Sequence, residues 1–265
     1  MSEDETFICF FSGIVAVIGW GWFFIRTSFA ARYPGRSRGR GVLCAAPLLC
    51  AALLFALLEL YSAEDVRDDP SYLGLYMLLG AAWLAVGQAP LPLLGLSIRD
   101  DVVERGNRAA SYAICGAFFG ITLCYAGGNA GNGPGWWVVV FSAVLATAAL
   151  LFLWMAFASL TGLADRITID RDEAAGLRAA GFFLGCGLVL GRAVAGDWVS
   201  AGATVTDFVS MAWPAGLLMM GAAAVERALR PATPRDAPPV LSFGLLPGLA
   251  FAGAGGIAVV LLGPW

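Results

Sequence analysis

Residues 106–120 read GNRAASYAICGAFFG, and residues 171–185 read RDEAAGLRAAGFFLG. Both run from a polar or charged cluster through paired alanines into an apolar stretch punctuated by glycine, and they stand 65 positions apart. At that spacing Ala109 falls on Ala174, Ala110 on Ala175, Gly116 on Gly181, Phe118 on Phe183 and Gly120 on Gly185. Leu123 on Leu188 and Gly131 on Gly196 extend the match, and Asn107 falls opposite Asp172. Glycines four apart share one face of a helix. Each phrase opens an apolar run long enough to cross a bilayer, so an internal repeat of membrane helices sets the expected fold.

Composition points the same way. The chain of 265 residues is 59% hydrophobic and 13% charged, with a mean hydropathy of +0.78. A soluble domain carries about 25% charged residues. Too few polar residues remain here to cover a water-exposed globule, so the bilayer is the solvent. All 16 basic residues are arginine, and histidine is absent. That removes the usual ligand for haem and for many zinc or copper sites, so neither a metal nor another cofactor is expected. A net charge of −3 gives no basis for nucleic-acid binding. Cys9, Cys44, Cys50, Cys115, Cys124 and Cys186 all lie in apolar runs and read as small buried hydrophobes. The acidic opening MSEDE differs from the positively charged start of a signal peptide, so the first apolar run is expected to stay as a helix.

Eight spans are predicted: Thr6–Ile25, Gly41–Tyr61, Ser71–Leu96, Ala109–Ala126, Trp136–Ala158, Ala174–Ala195, Val205–Val225 and Val240–Leu262. None shows the alternation of a barrel strand, so the fold class is an all-α polytopic helix bundle. The connecting loops alternate in charge. The first holds Arg26, Arg32, Arg36, Arg38 and Arg40; the third Arg99, Arg105 and Arg108; the fifth Arg166 and Arg171; the seventh Arg227, Arg230 and Arg235. The second has one arginine among acids, and the fourth and sixth have none. By the positive-inside rule the odd loops are cytoplasmic and both termini lie outside. Trp136, Trp137, Trp198 and Trp265 then mark the outer boundary, while Trp20 and Trp22 flank the inner end of the first span.

The chain divides into three N-terminal helices (1–97), one repeat unit (98–163), a second (164–230) and a final helix (231–265). Both units enter and leave on the same side, so they are expected to be parallel, related by an axis along the membrane normal. No copy of the phrase is legible in the first three helices or the last.

The phrase ERGNRAASYAICGAFFG, with its second form DRDEAAGLRAAGFFLG, resembles the domain-of-unknown-function 350 family, bacterial membrane domains built of short, often tandem helix pairs. The resemblance covers about residues 98–230, with Arg171 and Asp172 standing where the first unit has its Gly-Asn pair. It implies residence in the bacterial inner membrane and no particular chemistry.

Three groups of residues are candidates for a role. Gly116, Gly120, Gly181, Gly185, Gly187 and Gly191 form small-residue stripes, with Gly244 and Gly248 near the last span. In lipid such stripes let helices approach closely, or let a ligand approach the backbone. Asn107 and Asp172 are placed as N-caps, and Glu104 and Glu173 put negative charge near the helix starts. Arg178 lies one turn inside the same end; together these residues read either as helix caps or as the cytoplasmic mouth of a cavity. At the outer end, Arg192, Asp197, Asp207 and Glu59 suggest an ion-pair cluster. Pro90 and Pro92 are expected to kink or break the third span, leaving a carbonyl free near Gln88.

No nucleophile–base pair, HExxH, P-loop or GxSxG is present, and catalysis is not expected. Two readings stand. One is a helix-packing accessory or scaffold subunit whose partners are lipids and other membrane subunits or itself. The other is a channel or transporter for a small neutral or weakly charged solute. A polar cavity reaching the midplane would favour the second; solid packing with apolar grooves facing outward would favour the first.

Overall fold

The computed structural model describes residues 1–29, 39–229 and 239–263. Arg32, Arg36, Arg38, Arg230, Arg235 and Trp265, cited above for topology, lie outside the described residues. Within them the chain is an all-α bundle without β-strands, and eight helices are long and apolar enough to span a membrane. These are α1 (Glu3–Phe29), α2 (Arg40–Tyr61), α4 (Pro70–Gly87), α5 (Arg108–Gly128), α6 (Trp136–Thr161), α8 (Glu173–Val194), α9 (Ala201–Ala228) and α10 (Leu246–Leu262), the last extended by a π-turn at Leu241–Leu245. Two short helices, α3 (Glu64–Asp68) and α7 (Leu163–Thr168), lie in loops.

The third span is shorter than its hydropathy suggests. The α-helix stops at Gly87, and Pro90 and Pro92 redirect the chain into a 3-10 turn at Leu91–Leu94 that closes on Gly95 in the left-handed region. Proline has no N–H to continue the ladder. The carbonyls that the two prolines leave without an i+4 donor are taken up locally: that of Val86 accepts from the Ala89 N–H at 2.9 Å and that of Gln88 from the Leu91 N–H at 3.2 Å.

The two phrases build the same local structure. Asn107 Oδ1 accepts from the Ala110 N–H at 3.3 Å, and Asp172 Oδ1 from the Ala175 N–H at 3.1 Å, each as the N-cap of its helix. The cap N–H reaches back to a carbonyl six residues earlier in both: Asn107 to Asp101 and Asp172 to Arg166, each at 3.0 Å. The preceding residue is left-handed in both, Gly106 at φ 63° and Arg171 at φ 57°. Glycine adopts that conformation freely; arginine does so at a cost of roughly 1–2 kcal/mol.

Helices α5 and α8 form the core, with 89% and 78% of their central spans buried, against 17% for the first and last spans. Their glycines put backbone against backbone. A Cβ added at Gly116 would come within 2.3 Å of Ala180 Cα, and one at Gly127 within 2.1 Å of the Gly191 carbonyl oxygen. One at Gly176 would meet the Ala109 oxygen at 2.3 Å, and one at Gly187 the Gly120 Cα at 2.7 Å. These pairs climb both helices together, so α5 and α8 run parallel. Close approach of this kind maximises dispersion contact, the main attraction available between helices in lipid.

The same contacts recur one helix further on. Where Gly116 meets Ala180, Gly181 meets Gly248; where Gly120 meets Phe183, Gly185 meets Phe251. Where Gly176 meets Ala109, Gly244 meets Ala174; where Gly187 meets Gly120, Gly255 meets Gly185. Helix α10 therefore sits on α8 as α8 sits on α5, with an offset of 68 residues in place of 65. At the other flank Gly39 packs on Arg108 and Ser111, and Ser62 bridges to Ala130 and Gly131, which sets α2 parallel to α5. The bundle is thus a row of four parallel helices, α2–α5–α8–α10, flanked by α1 and α4 at one end and by α6 and α9 toward the other.

Candidate functional site

The strongest polar feature lies at the arginine-rich end of α8. Arg178, in its second turn, is fully buried; Glu226, in the last turn of α9, is 1% exposed, and Arg166 of α7 and Asp172 are under 10%. Glu226 accepts from Arg178 Nε at 2.6 Å and Nη2 at 3.0 Å, and also from Arg166 Nη1. Arg166 Nη2 reaches Asp172 at 2.6 Å, while Arg178 Nη1 donates to the Phe243 carbonyl in the π-turn before α10. Two positive and two negative charges cancel. Their hydrogen bonds join α7, α8, α9 and the start of α10 into one closed lattice. Buried charges persist only when so paired. Arg178 is thus held inside the bundle by its counter-charge and a carbonyl, not as a helix cap.

In the first unit the positions 65 residues earlier hold Asp101, Asn107, Ala113 and Thr161. Asn107 Nδ2 donates to the Ile167 carbonyl at 2.7 Å, tying that neutral corner to α7. Asp101 accepts from the Ser97 N–H at 2.9 Å and from Arg105 at 3.4 Å. Burial nonetheless holds its carboxyl above the ordinary carboxylate range. Glu104 ends the π-helix Ile98–Glu104 that precedes α5 and pairs with Arg99 at 3.1 Å in solvent, so it contributes no charge to the first turn of α5. Glu173 does lie in the first turn of α8 and faces Arg108 at 3.6 Å.

The expected outer ion-pair cluster is replaced by another arrangement. Arg192 donates to the Gly263 carbonyl at 2.9 Å and the Leu262 carbonyl at 3.3 Å, and reaches Ala195 at 3.5 Å. It thus binds carbonyls at the C-terminal ends of α10 and of its own helix, where the dipole favours a cation. Asp197 accepts from the N–H and Nδ2 of Asn132, at 2.7 and 3.0 Å. Asp207 and Glu59 are exposed, and neither takes part in an ion pair found among the described residues. Backbone bonds from Gly196 N–H to the Ala130 carbonyl and from Trp198 N–H to the Asn132 carbonyl, both 2.8 Å, complete a seam across the C-terminal ends of α5 and α8.

All six packing glycines named from sequence lie in this row: Gly116 on Ala180, Gly120 on Phe183, Gly181 on Gly248, Gly185 on Phe251, Gly187 on Gly120 and Gly191 on Gly127. Sequence reasoning missed the quartet. Arg166 and Glu226 stand 60 residues apart and Arg178 and Glu226 48, with no local signal joining them.

Two cavities matter. A polar groove of about 940 Å³ opens beside this seam, lined by Ser62, Asp65, Arg67, Asn132, Arg192 and Asp197. Its lining goes no deeper than the last turn of α8. An apolar crevice of about 180 Å³ lies between α1, α2, α4 and α5, and the two cavities share no residue.

No family model matches the chain, and neither do any of the curated proteins or solved structures compared with it.

Proposed function

We propose that this multi-pass membrane protein is a non-catalytic helix-packing subunit, a scaffold or accessory element of a membrane complex or of its own oligomer. The reading places it in a bacterial inner membrane with the arginine-rich face in the cytoplasm. It keeps the resemblance of residues 98–230 to the domain-of-unknown-function 350 family, and treats α10 as a further copy of the helix that opens each unit.

One observation carries the reading: the row of parallel helices ends on an unfilled position. Gly120 of α5 receives the Phe183 backbone of α8, and Gly185 of α8 receives the Phe251 backbone of α10. The next equivalent, Gly253 of α10, has nothing within 4 Å. Leu249, Ile257 and Val260 frame it, each more than half exposed. A face used twice inside the chain to hold a parallel helix is thus presented outward once more, and a helix of a second copy or of another subunit fits it. Among the described residues the buried charges of the quartet are paired with one another and the mid-span crevice is apolar, which favours this reading over a channel for a polar solute.

The test is Gly253→Leu, purified from its native membrane in mild detergent beside the wild type. Wild-type protein should travel as an oligomer or with a partner, and the variant should lose that association while keeping its own unfolding midpoint. A solitary wild-type monomer, or solute flux through reconstituted protein, would overturn the proposal.

A further inference from the structure

We propose that the crevice between α1, α2, α4 and α5 is a site for one acyl chain of a membrane lipid. This does not depend on the scaffold reading, only on the chain spanning a bilayer.

The crevice exists because α2 and α4 are held by different neighbours. Helix α2 packs on α5 and α4 packs on α1, while α2 and α4 scarcely meet. The space between them is walled by Trp20, Pro47, Leu54, Gly80, Trp83 and Tyr125. Pro47 and Leu54 lie 7 and 14 residues into α2, about 10 and 21 Å along its axis. That is the middle of a hydrocarbon layer about 30 Å thick. Leu48, 67% exposed, and Ala51, also exposed, stand at the mouth, so the crevice opens sideways into lipid and not toward water.

Its chemistry excludes a polar occupant. The indole and hydroxyl donors in the wall are already engaged, and the Cys50 thiol, a weak donor, is the other polar side chain there. Trp20 Nε1 donates to the Ala81 carbonyl at 3.0 Å and Trp83 Nε1 to Thr147 Oγ1 at 3.2 Å. The Tyr125 hydroxyl donates to the Tyr76 carbonyl at 2.8 Å, and Thr122 to the Phe118 carbonyl at 2.8 Å. A buried water needs two to four polar partners, more than this largely apolar wall offers. An empty space here would leave its aromatic walls without dispersion contact on one side. At about 180 Å³ it exceeds the roughly 150 Å³ at which an apolar cavity admits a molecule such as benzene. At Gly80 the α4 backbone already rests on the Leu54 side chain of α2 and the Tyr125 ring of α5: a Cβ there would lie 2.4 Å from Leu54 Cδ2 and 2.7 Å from Tyr125 Cε1, so these two side chains prop α4 and α2 apart at that level. A flexible hydrocarbon tail is the species that surrounds the mouth and fits the wall.

The experiment is photo-crosslinking in nanodiscs doped with a phospholipid carrying a diazirine at mid-chain, with adducts mapped by mass spectrometry. The proposal expects adducts concentrated on the α2 segment 47–54 and the α4 segment 77–84. Ala51→Trp, which plugs the mouth from its lipid side, should lower those adducts about tenfold, equivalent to about 1.4 kcal/mol of binding. Val209→Trp, 67% exposed on α9, should leave them unchanged. If Ala51→Trp does not give the wild-type unfolding midpoint, Leu48→Trp takes its place. Adducts spread evenly over the lipid-facing surfaces of α1, α9 and α10, or crevice adducts that survive in a folded plugged variant, would overturn the proposal. So would a purified protein whose crevice holds a co-extracted isoprenoid that blocks the adducts.

Discussion

Replacing Gly181 with alanine adds one methyl group where α8 meets α10. The new Cβ would stand 2.0 Å from the Gly248 carbonyl oxygen and 2.5 Å from its Cα and carbonyl carbon. Ordinary contact begins at 3.4 Å, so the helices must part locally by more than 1 Å. The obstacle is backbone, which cannot turn aside as a flexible side chain would. A gap of 0.5–1 Å forfeits a quarter to a half of each dispersion well it opens. The opening would also loosen the neighbouring contacts of Gly185, Gly244 and Gly255. Overpacking costs about 1–3 kcal/mol, and a rigid obstacle puts this site at about 3. Gly221→Ala in α9 is the control: nothing stands within 4 Å of that position. The gain in helix propensity is common to both substitutions and cancels. Unfolding in mixed micelles, titrated with a denaturing detergent, should therefore separate the two variants by about 3 kcal/mol. Agreement within about 0.5 kcal/mol would refute backbone contact as the source of cohesion.

Three further outcomes follow from the geometry. Glu226→Ala leaves Arg178 and Arg166 buried with Asp172 as their remaining counter-charge and should cost about 3–5 kcal/mol in the same titration; neutralising all four positions with apolar residues of similar volume should recover most of that loss. Arg171→Gly relieves a left-handed arginine at φ 57° and should raise stability by about 1 kcal/mol, whereas Gly106→Arg should lower it by a similar amount. Because burial raises the Asp101 carboxyl above its unfolded value, the fold favours the protonated form; its contribution is full below about pH 3.9 and is lost as the pH climbs through the folded value. Asp101→Asn should accordingly match wild type near pH 4 and melt higher at pH 7, and a lower melting point at pH 7 would contradict that assignment.

The spans were legible because hydropathy over about 20 residues is a bulk property that one misplaced residue does not hide. The glycine pairs of α5 and α8 were legible because both copies keep spacing and residue type. The third set of contacts was not. Its offset is 68 and not 65, Val240 stands where Asp172 caps α8, and Leu246 stands where Arg178 would be. Gly244, Phe251, Gly253 and Gly255 still match Gly176, Phe183, Gly185 and Gly187, but glycine and phenylalanine are too common in membrane helices to speak without the polar flank. Arg192 and Asp197 misled through nearness in sequence. The chain leaves α8 in an extended conformation at Ala195, which carries Asp197 toward Asn132 while Arg192 turns to the end of α10. The quartet stayed hidden because charge pairing across 48 to 60 residues has no period to detect.

The most direct measurement asks which helix ends are neighbours. In a chain freed of its six native thiols, cysteines at Asn132 and Asp197 should join rapidly through a short bifunctional thiol reagent in native membranes, as should cysteines at Arg108 and Glu173 at the opposite face. Parallel α5 and α8 require both links. A link between cysteines at Arg108 and Asp197, with the other two absent, would mean that the helices run in opposite directions and that the row does not exist.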